Sequence, residues 1–122
     1  MRFALFMLAL LPLMPAAAQP DCSNAITQAD MNQCAAAELA TADAALNTAY
    51  AELRQQLPKE RLDALRKAEQ GWIAFRTAQC EFEAGAAAGG SLQPLLRDNC
   101  LTELSRQRTR ALQDLRTGLS QP

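Results

Sequence analysis

TQADMNQCAAAELATADAALNTAYAELRQQL, residues 27–57, is the stretch that decides the fold. It is rich in Ala, contains no Gly or Pro, and sets Leu39, Ala42, Leu46, Ala49, Leu53 and Leu57 at steps of three and four. That period gathers these side chains on one stripe of a long amphipathic helix. Thr27 with Asp30 three residues on reads as a capping box, Asp being shorter than the usual Glu or Gln. Pro58 stops the helix, since a prolyl nitrogen donates no hydrogen bond. Its fixed φ suits the first position of a second helix, with Glu60 near that helix's positive end. A tight antiparallel turn follows.

Moving outward, the second helix is predicted to run to about Glu83, with Leu62, Leu65, Ala68, Trp72, Phe75, Gln79 and Phe82 on its inward stripe. Gly71 interrupts it, and close approach of a neighbouring helix is the simplest reason for a glycine there. The run AGAAAGG, residues 84–90, has no apolar anchor larger than Ala and reads as a flexible connection. Ser91 can cap a third helix, and Pro94 is tolerated in its first turn. Leu96, Cys100, Leu104, Arg108, Ala111 or Leu112, and Leu115 mark the third stripe, and Gly118 is a plausible stop. Three helices of roughly 40 Å follow from the rise per residue. The expected fold class is all-α, an elongated antiparallel three-helix bundle stapled by two disulfides.

The N-terminal 18 residues read as a secretory signal peptide: Arg2, an apolar run from Phe3 to Met14, then Ala16-Ala17-Ala18 as the cleavage site. Residues 19–122 are one domain by size, with no membrane insertion expected after cleavage. Arg2 leaves with the leader, so the 12 Lys and Arg become 11 against 13 Asp and Glu, a net charge of −2. That balance argues against nucleic-acid binding, which needs a clustered basic face, and permits attraction to cationic proteins. Four cysteines, Cys22, Cys34, Cys80 and Cys100, in a chain bound for an oxidising compartment imply two disulfides. Their gaps of 11, 45 and 19 residues and the absence of His speak against zinc, and no metal or other cofactor is expected. Folding about Pro58 levels Cys80 with Cys34, and folding about Ala88 brings Cys100 near Cys80. Both pairings are open on level alone. The shorter loops favour Cys22–Cys34 with Cys80–Cys100.

Asp43, Asn47 and Tyr50 fall at i, i+4 and i+7 of the first helix, and Trp72 and Arg76 stand four apart on the second. Reflection through the turns predicts a structural polar network: Asp43 with Arg76, and Arg108 with Asn47 or Tyr50. Such groups satisfy one another and fix helix register more readily than they bind a ligand. Catalysis has little to stand on. Without His no Ser-His-Asp or Cys-His arrangement exists, and Asp43 lacks a second titratable group poised for acid–base work. The Gly-rich run lacks the Lys and Ser or Thr of a phosphate-binding loop. The expectation is a protein that is not an enzyme, with no catalytic residues.

The blocks CSNAITQADMNQC (22–34), ADAALNTAY (42–50), GWIAFRTAQC (71–80), GGS (89–91) and C-x3-L-S-x2-R-x3-L (100–112) stand in this order over nearly the whole mature chain. This arrangement resembles a bacterial exported family typified by the N-terminal domain of the mycobacterial lysozyme inhibitor LprI. The resemblance implies a periplasmic or secreted helical protein, with lysozyme inhibition demonstrated for some relatives. The chain ends soon after the third helix, so a second domain of the kind longer relatives carry is not expected. One function is thus an inhibitor that blocks the cleft of a c-type lysozyme, with Gly85, Gly89, Gly90 and Ser91 in the candidate partner-binding loop. The alternative is a cell-envelope scaffold or interaction protein of the same fold, whose cue is surplus apolar residues such as Ile73, Leu101 and Leu119.

Overall fold

The computed structural model describes residues 20–121, and the predicted leader, residues 1–18, lies outside the described residues. Three long helices run up, down and up: α1 (Gln28–Gln56), α2 (Lys59–Ala84) and α3 (Gln93–Leu119). A 3-10 turn at Cys22–Asn24 precedes α1, and another at Gly85–Ala87 follows α2. Thr27 caps α1, its Oγ1 accepting the Asp30 amide at 3.0 Å. Pro58 sits one position earlier than predicted, as the extended N-cap residue of α2.

The order of packing is unequal. α3 lies along α1 and also against α2, whereas the backbones of α1 and α2 hardly approach one another. Small residues explain the close α1–α3 seam. Ala35, Ala42 and Ala49 are buried on α1, and Thr102, Ser105 and Thr109 on α3. Such side chains let ridges meet closely, and a threonine buried in a helix can satisfy its hydroxyl locally. Thr109 does so, donating to the Ser105 carbonyl at 2.9 Å. In the half nearest the Pro58 turn, Leu46, Ala49, Leu53, Leu65 and Leu112 form the apolar core, with Tyr50, Leu57 and Trp72 packed against it. Each buried leucine there contributes about 1.5–3 kcal/mol of transfer free energy.

Both disulfides have the pairing favoured by loop length, Cys22–Cys34 and Cys80–Cys100, and the described residues contain no free cysteine. Several expectations need correction. On α2 the inward positions are Leu65, Glu69, Cys80 and Ala84, while Phe75 and Phe82 face solvent at 54% and 78% exposure. The disulfide at Cys80 and the ion pair at Glu69 set the rotation of α2, and the phenylalanines fall outside that face. Leu115 is likewise exposed, because α3 turns Thr109 and Leu112 inward instead. Gly71 is not a site of close helix approach, since a Cβ there would meet nothing within 4 Å.

The connection between α2 and α3 is held by hydrogen bonds and is not the loose tether its composition suggests. Gly90 N donates to the Ala87 carbonyl at 3.0 Å, and Gly89, at φ +78°, donates to Gln93 Oε1 at 3.1 Å. The left-handed backbone at Gly89 is one that a β-carbon would strain. Ser91 does not cap α3. The N-cap is Leu92, with Pro94 in the first turn, and the Ser91 carbonyl instead accepts from Asn32 Nδ2 of α1 at 3.0 Å. Helix α3 also runs past Gly118 to end at Leu119.

Candidate functional site

Two features could carry function: a layer of ion pairs across the middle of the bundle, and the disulfide-clasped end. The layer is built by all three helices. Arg76 on α2 reaches between its neighbours, and its Nη1 donates to Asp43 Oδ1 of α1 at 2.8 Å and to Ser105 Oγ of α3 at 2.7 Å. Ser105 Oγ also lies 3.2 Å from Asp43 Oδ1 and 2.7 Å from the Leu101 carbonyl, either of which can take its one proton. A single buried hydroxyl thereby joins the ion pair to the α1–α3 seam.

One to two turns nearer Pro58, Arg108 on α3 meets Glu69 on α2, with Nη2 at 2.9 Å and Nε at 3.0 Å from Glu69 Oε2. Trp72 lies between the two arginines. Arg76 stands 5.1 Å and Arg108 5.8 Å from its ring centroid, so the indole holds both cations by its face. The predicted partner of Arg108, Asn47 or Tyr50, is corrected by this geometry. A guanidinium in a mostly buried position is better satisfied by a carboxylate than by a neutral amide or phenol. Glu69 supplies one from α2, the helix on which α3 also packs. Tyr50 instead packs on the core cluster beneath Arg54, and Asn47 is exposed. Glu69 is the residue that sequence reasoning missed. Its signal was its position, seven residues before Arg76 on the same face of α2.

Because α1 and α2 stay apart, a groove of about 370 Å³ runs between them, walled by Asp43, Asn47 and Tyr50 on one side and Trp72, Ile73 and Arg76 on the other. Asp43 with Arg76 and Glu69 with Arg108 are each paired across helices, so the layer ties the register of the bundle. Its chemistry is hydrogen bonding and charge neutralisation. No group of three or more His, Cys, Asp and Glu suited to a metal occurs among the described residues.

The other feature is the end where α1 begins, α2 ends and α3 begins. Cys22–Cys34 ties the N-terminal arm to α1, and Cys80–Cys100 joins the last turns of α2 to α3. Asp21 folds over the arm, accepting from Ser23 Oγ at 2.6 Å and from Ser23 N at 3.1 Å. These bonds, the hydroxyl first, hold its carboxyl below the ordinary carboxylate value. Gly85, Gly89, Gly90 and Ser91 form the blunt tip of this end. At the opposite end Asp63 is held below its usual range by Lys67 first and Arg66 second, a fully exposed cluster of solvent-screened charges. Of the surplus apolar candidates, Ile73 and Leu119 are about half exposed and Leu101 is partly buried.

Comparison with known proteins bears on the whole helical region. Residues 19–112 match the family model described as Lysozyme inhibitor LprI. An uncharacterized protein of Rhizobium meliloti (strain 1021) is 40% identical over 110 residues, covering 80% of this chain and 79% of its own length. No solved structure matches. Two disulfides suit an oxidising, extracytoplasmic compartment. No helix among the described residues is long and apolar enough to cross a membrane.

Proposed function

Because the chain belongs to the LprI lysozyme inhibitor family, we propose that it is an exported, non-enzymatic inhibitor that binds a lysozyme and blocks its action on peptidoglycan. The observation that carries this reading is the span of the family match, from residue 19 through Leu112, the last fully buried residue of α3. The leader at residues 1–18 directs export and is removed on the way to the periplasm or the medium, where both disulfides persist. The ion-pair layer fixes the register of the helices, and the clasped tip carrying Gly85, Gly89, Gly90 and Ser91 is the end that meets the enzyme. A rigid, covalently tied tip loses little conformational entropy on binding. The excess of carboxylates favours a cationic target such as a c-type lysozyme.

The test is the rate of cell-wall lysis by a c-type lysozyme with the purified, oxidised mature chain added. A fall in rate that saturates near stoichiometric inhibitor is expected. An unchanged rate at large molar excess, with the helical circular dichroism intact, overturns the reading.

A further inference from the structure

The clasped half of the bundle leaves three large apolar side chains outside. Ile26, Phe82 and Leu92 are 77%, 78% and 42% exposed, and all three belong to the end formed by the start of α1, the end of α2 and the start of α3. A scattered exposed leucine needs no explanation, but a phenylalanine exposed in the last turn of a helix, at an end that also exposes an isoleucine and a leucine, is apolar surface without a partner. These three are also held in place relative to one another. Cys80, two residues before Phe82, is bonded to Cys100 on the helix that Leu92 caps. Asn32 Nδ2 grips the Ser91 carbonyl, fixing Leu92 to the helix that Ile26 precedes.

Charge says what would cover this surface. Segments 20–40 and 77–100, which build this end, carry six carboxylates, Asp21, Asp30, Glu38, Glu81, Glu83 and Asp98. Against them these segments carry one cation, Arg97, paired with Glu81 at 2.7 Å, and Arg106 from farther along α3 reaches Glu38 at 3.5 Å. Segments 41–76 and 101–121 carry ten Lys and Arg against seven Asp and Glu. The bundle is therefore polarised along its axis, although its net charge is small. An end that exposes apolar side chains among an excess of carboxylates suits a cationic protein with an apolar depression, the carboxylates steering the encounter and Phe82 supplying the anchor.

We propose that this acidic, apolar end is the docking surface for the lysozyme, with Phe82 as its anchor and Glu83 and Asp98 as steering charges. The assignment rests on the inhibitor reading above and adds the face, the anchor and the polarity of the complex. A second copy of the chain is a poorer occupant. Two such ends repel each other, and joining this end to the basic end of another copy generates an open chain instead of a closed dimer.

The oxidised mature chain is titrated calorimetrically with a c-type lysozyme at low and physiological salt, alongside the lysis assay. The variants are Phe82→Ser, the pair Glu83→Lys with Asp98→Lys, and a control pair at the other end, Leu119→Ser with Arg110→Glu. All the replaced apolar side chains are exposed, so the fold survives, as circular dichroism will confirm. Phe82→Ser is expected to weaken binding by about tenfold or more, as anchor truncations do. Charge reversal is expected to weaken it by about tenfold at low salt and to reduce its salt dependence. The control is expected to stay within about twofold, the range of energetically neutral positions. If wild type binds and inhibits while only the control weakens binding, the face is wrong and the inhibitor reading stands. If wild type neither binds nor inhibits, both fall. Self-association in the ultracentrifuge that Phe82→Ser abolishes would give this surface to a second copy and overturn the proposal.

Discussion

The two halves of the bundle are stabilised by different means. Toward Pro58, Leu46, Leu53, Leu65 and Leu112 interlock, and Glu69 with Arg108 closes the layer above them. Toward Gly85 the buried side chains are Cys34, Ala35, Cys80, Ala84, Cys100 and Thr102, with no large aliphatic or aromatic residue among them. Burial of small groups yields little transfer free energy, and two cross-links that restrict the unfolded chain stand in its place. What the contrast teaches is that a covalent clasp can hold a half-bundle whose buried side chains are small. Phe82 and Ile26 remain at its surface.

The comparison is broken most severely by Arg108→Ala, which leaves the Glu69 carboxylate mostly buried and unpaired. A loss of about 3–5 kcal/mol is expected in urea denaturation, whereas Arg97→Ala, at the exposed pair with Glu81, should cost about 1 kcal/mol or less. Replacing both Glu69 and Arg108 by aliphatic residues should recover most of the loss, because it removes the stranded charge along with its partner. Next in size is the clasp. Cys80→Ser with Cys100→Ser is expected to cost about 3 kcal/mol, and Cys22→Ser with Cys34→Ser about half a kcal/mol less, in line with sequence separations of 20 and 12. Reduction sharpens the same point: amide exchange should accelerate around Cys80 and Cys100 well before it does around Leu53 and Leu112.

Smaller effects test the same picture. Gly71→Ala should stabilise the protein by about 0.5–1 kcal/mol, because the site is a helix interior with open space for the methyl group. A destabilised variant would show that α1 approaches α2 there after all. The smallest expected effect is at Asp21. Its folded carboxyl lies below the ordinary 3.8, so its support of the arm is present above that value and is lost as pH falls through the lowered one. An NMR titration of the Ser23 amide should follow that carboxyl, with the shift confined to strongly acidic pH and absent in Asp21→Asn.

Much of this was legible in advance because helix periodicity and cap chemistry are local. The α1 stripe through Ala42, Leu46, Ala49 and Leu53, the Thr27 cap and the break at Pro58 depend on neighbours a few residues away, and each is in place. The polar layer was legible in part. Asp43 and Arg76 meet because both helices keep level through one short turn. Arg108 turns to Glu69 because its choice of partner depends on how α3 is rotated against α2, which no local pattern encodes. The phenylalanines misled for a related reason. Phe75 and Phe82 fit an apolar stripe in α2 as well as Leu65 does, and the second disulfide together with the Glu69–Arg108 pair decides which stripe faces inward.

By itself the sequence determined that three helices form, where they start and turn, and that four oxidised cysteines would clasp them, since short-range backbone sterics and hydrophobic period set these. Tertiary packing alone decided that α3 seats closely on α1 through Ala, Ser and Thr, that Glu69 rather than Tyr50 receives Arg108, and that Phe82 is left outside. The physical reason is that a helix rotates about its axis at little local cost. Its rotation is fixed only when the buried charge must find its partner and the disulfide its mate.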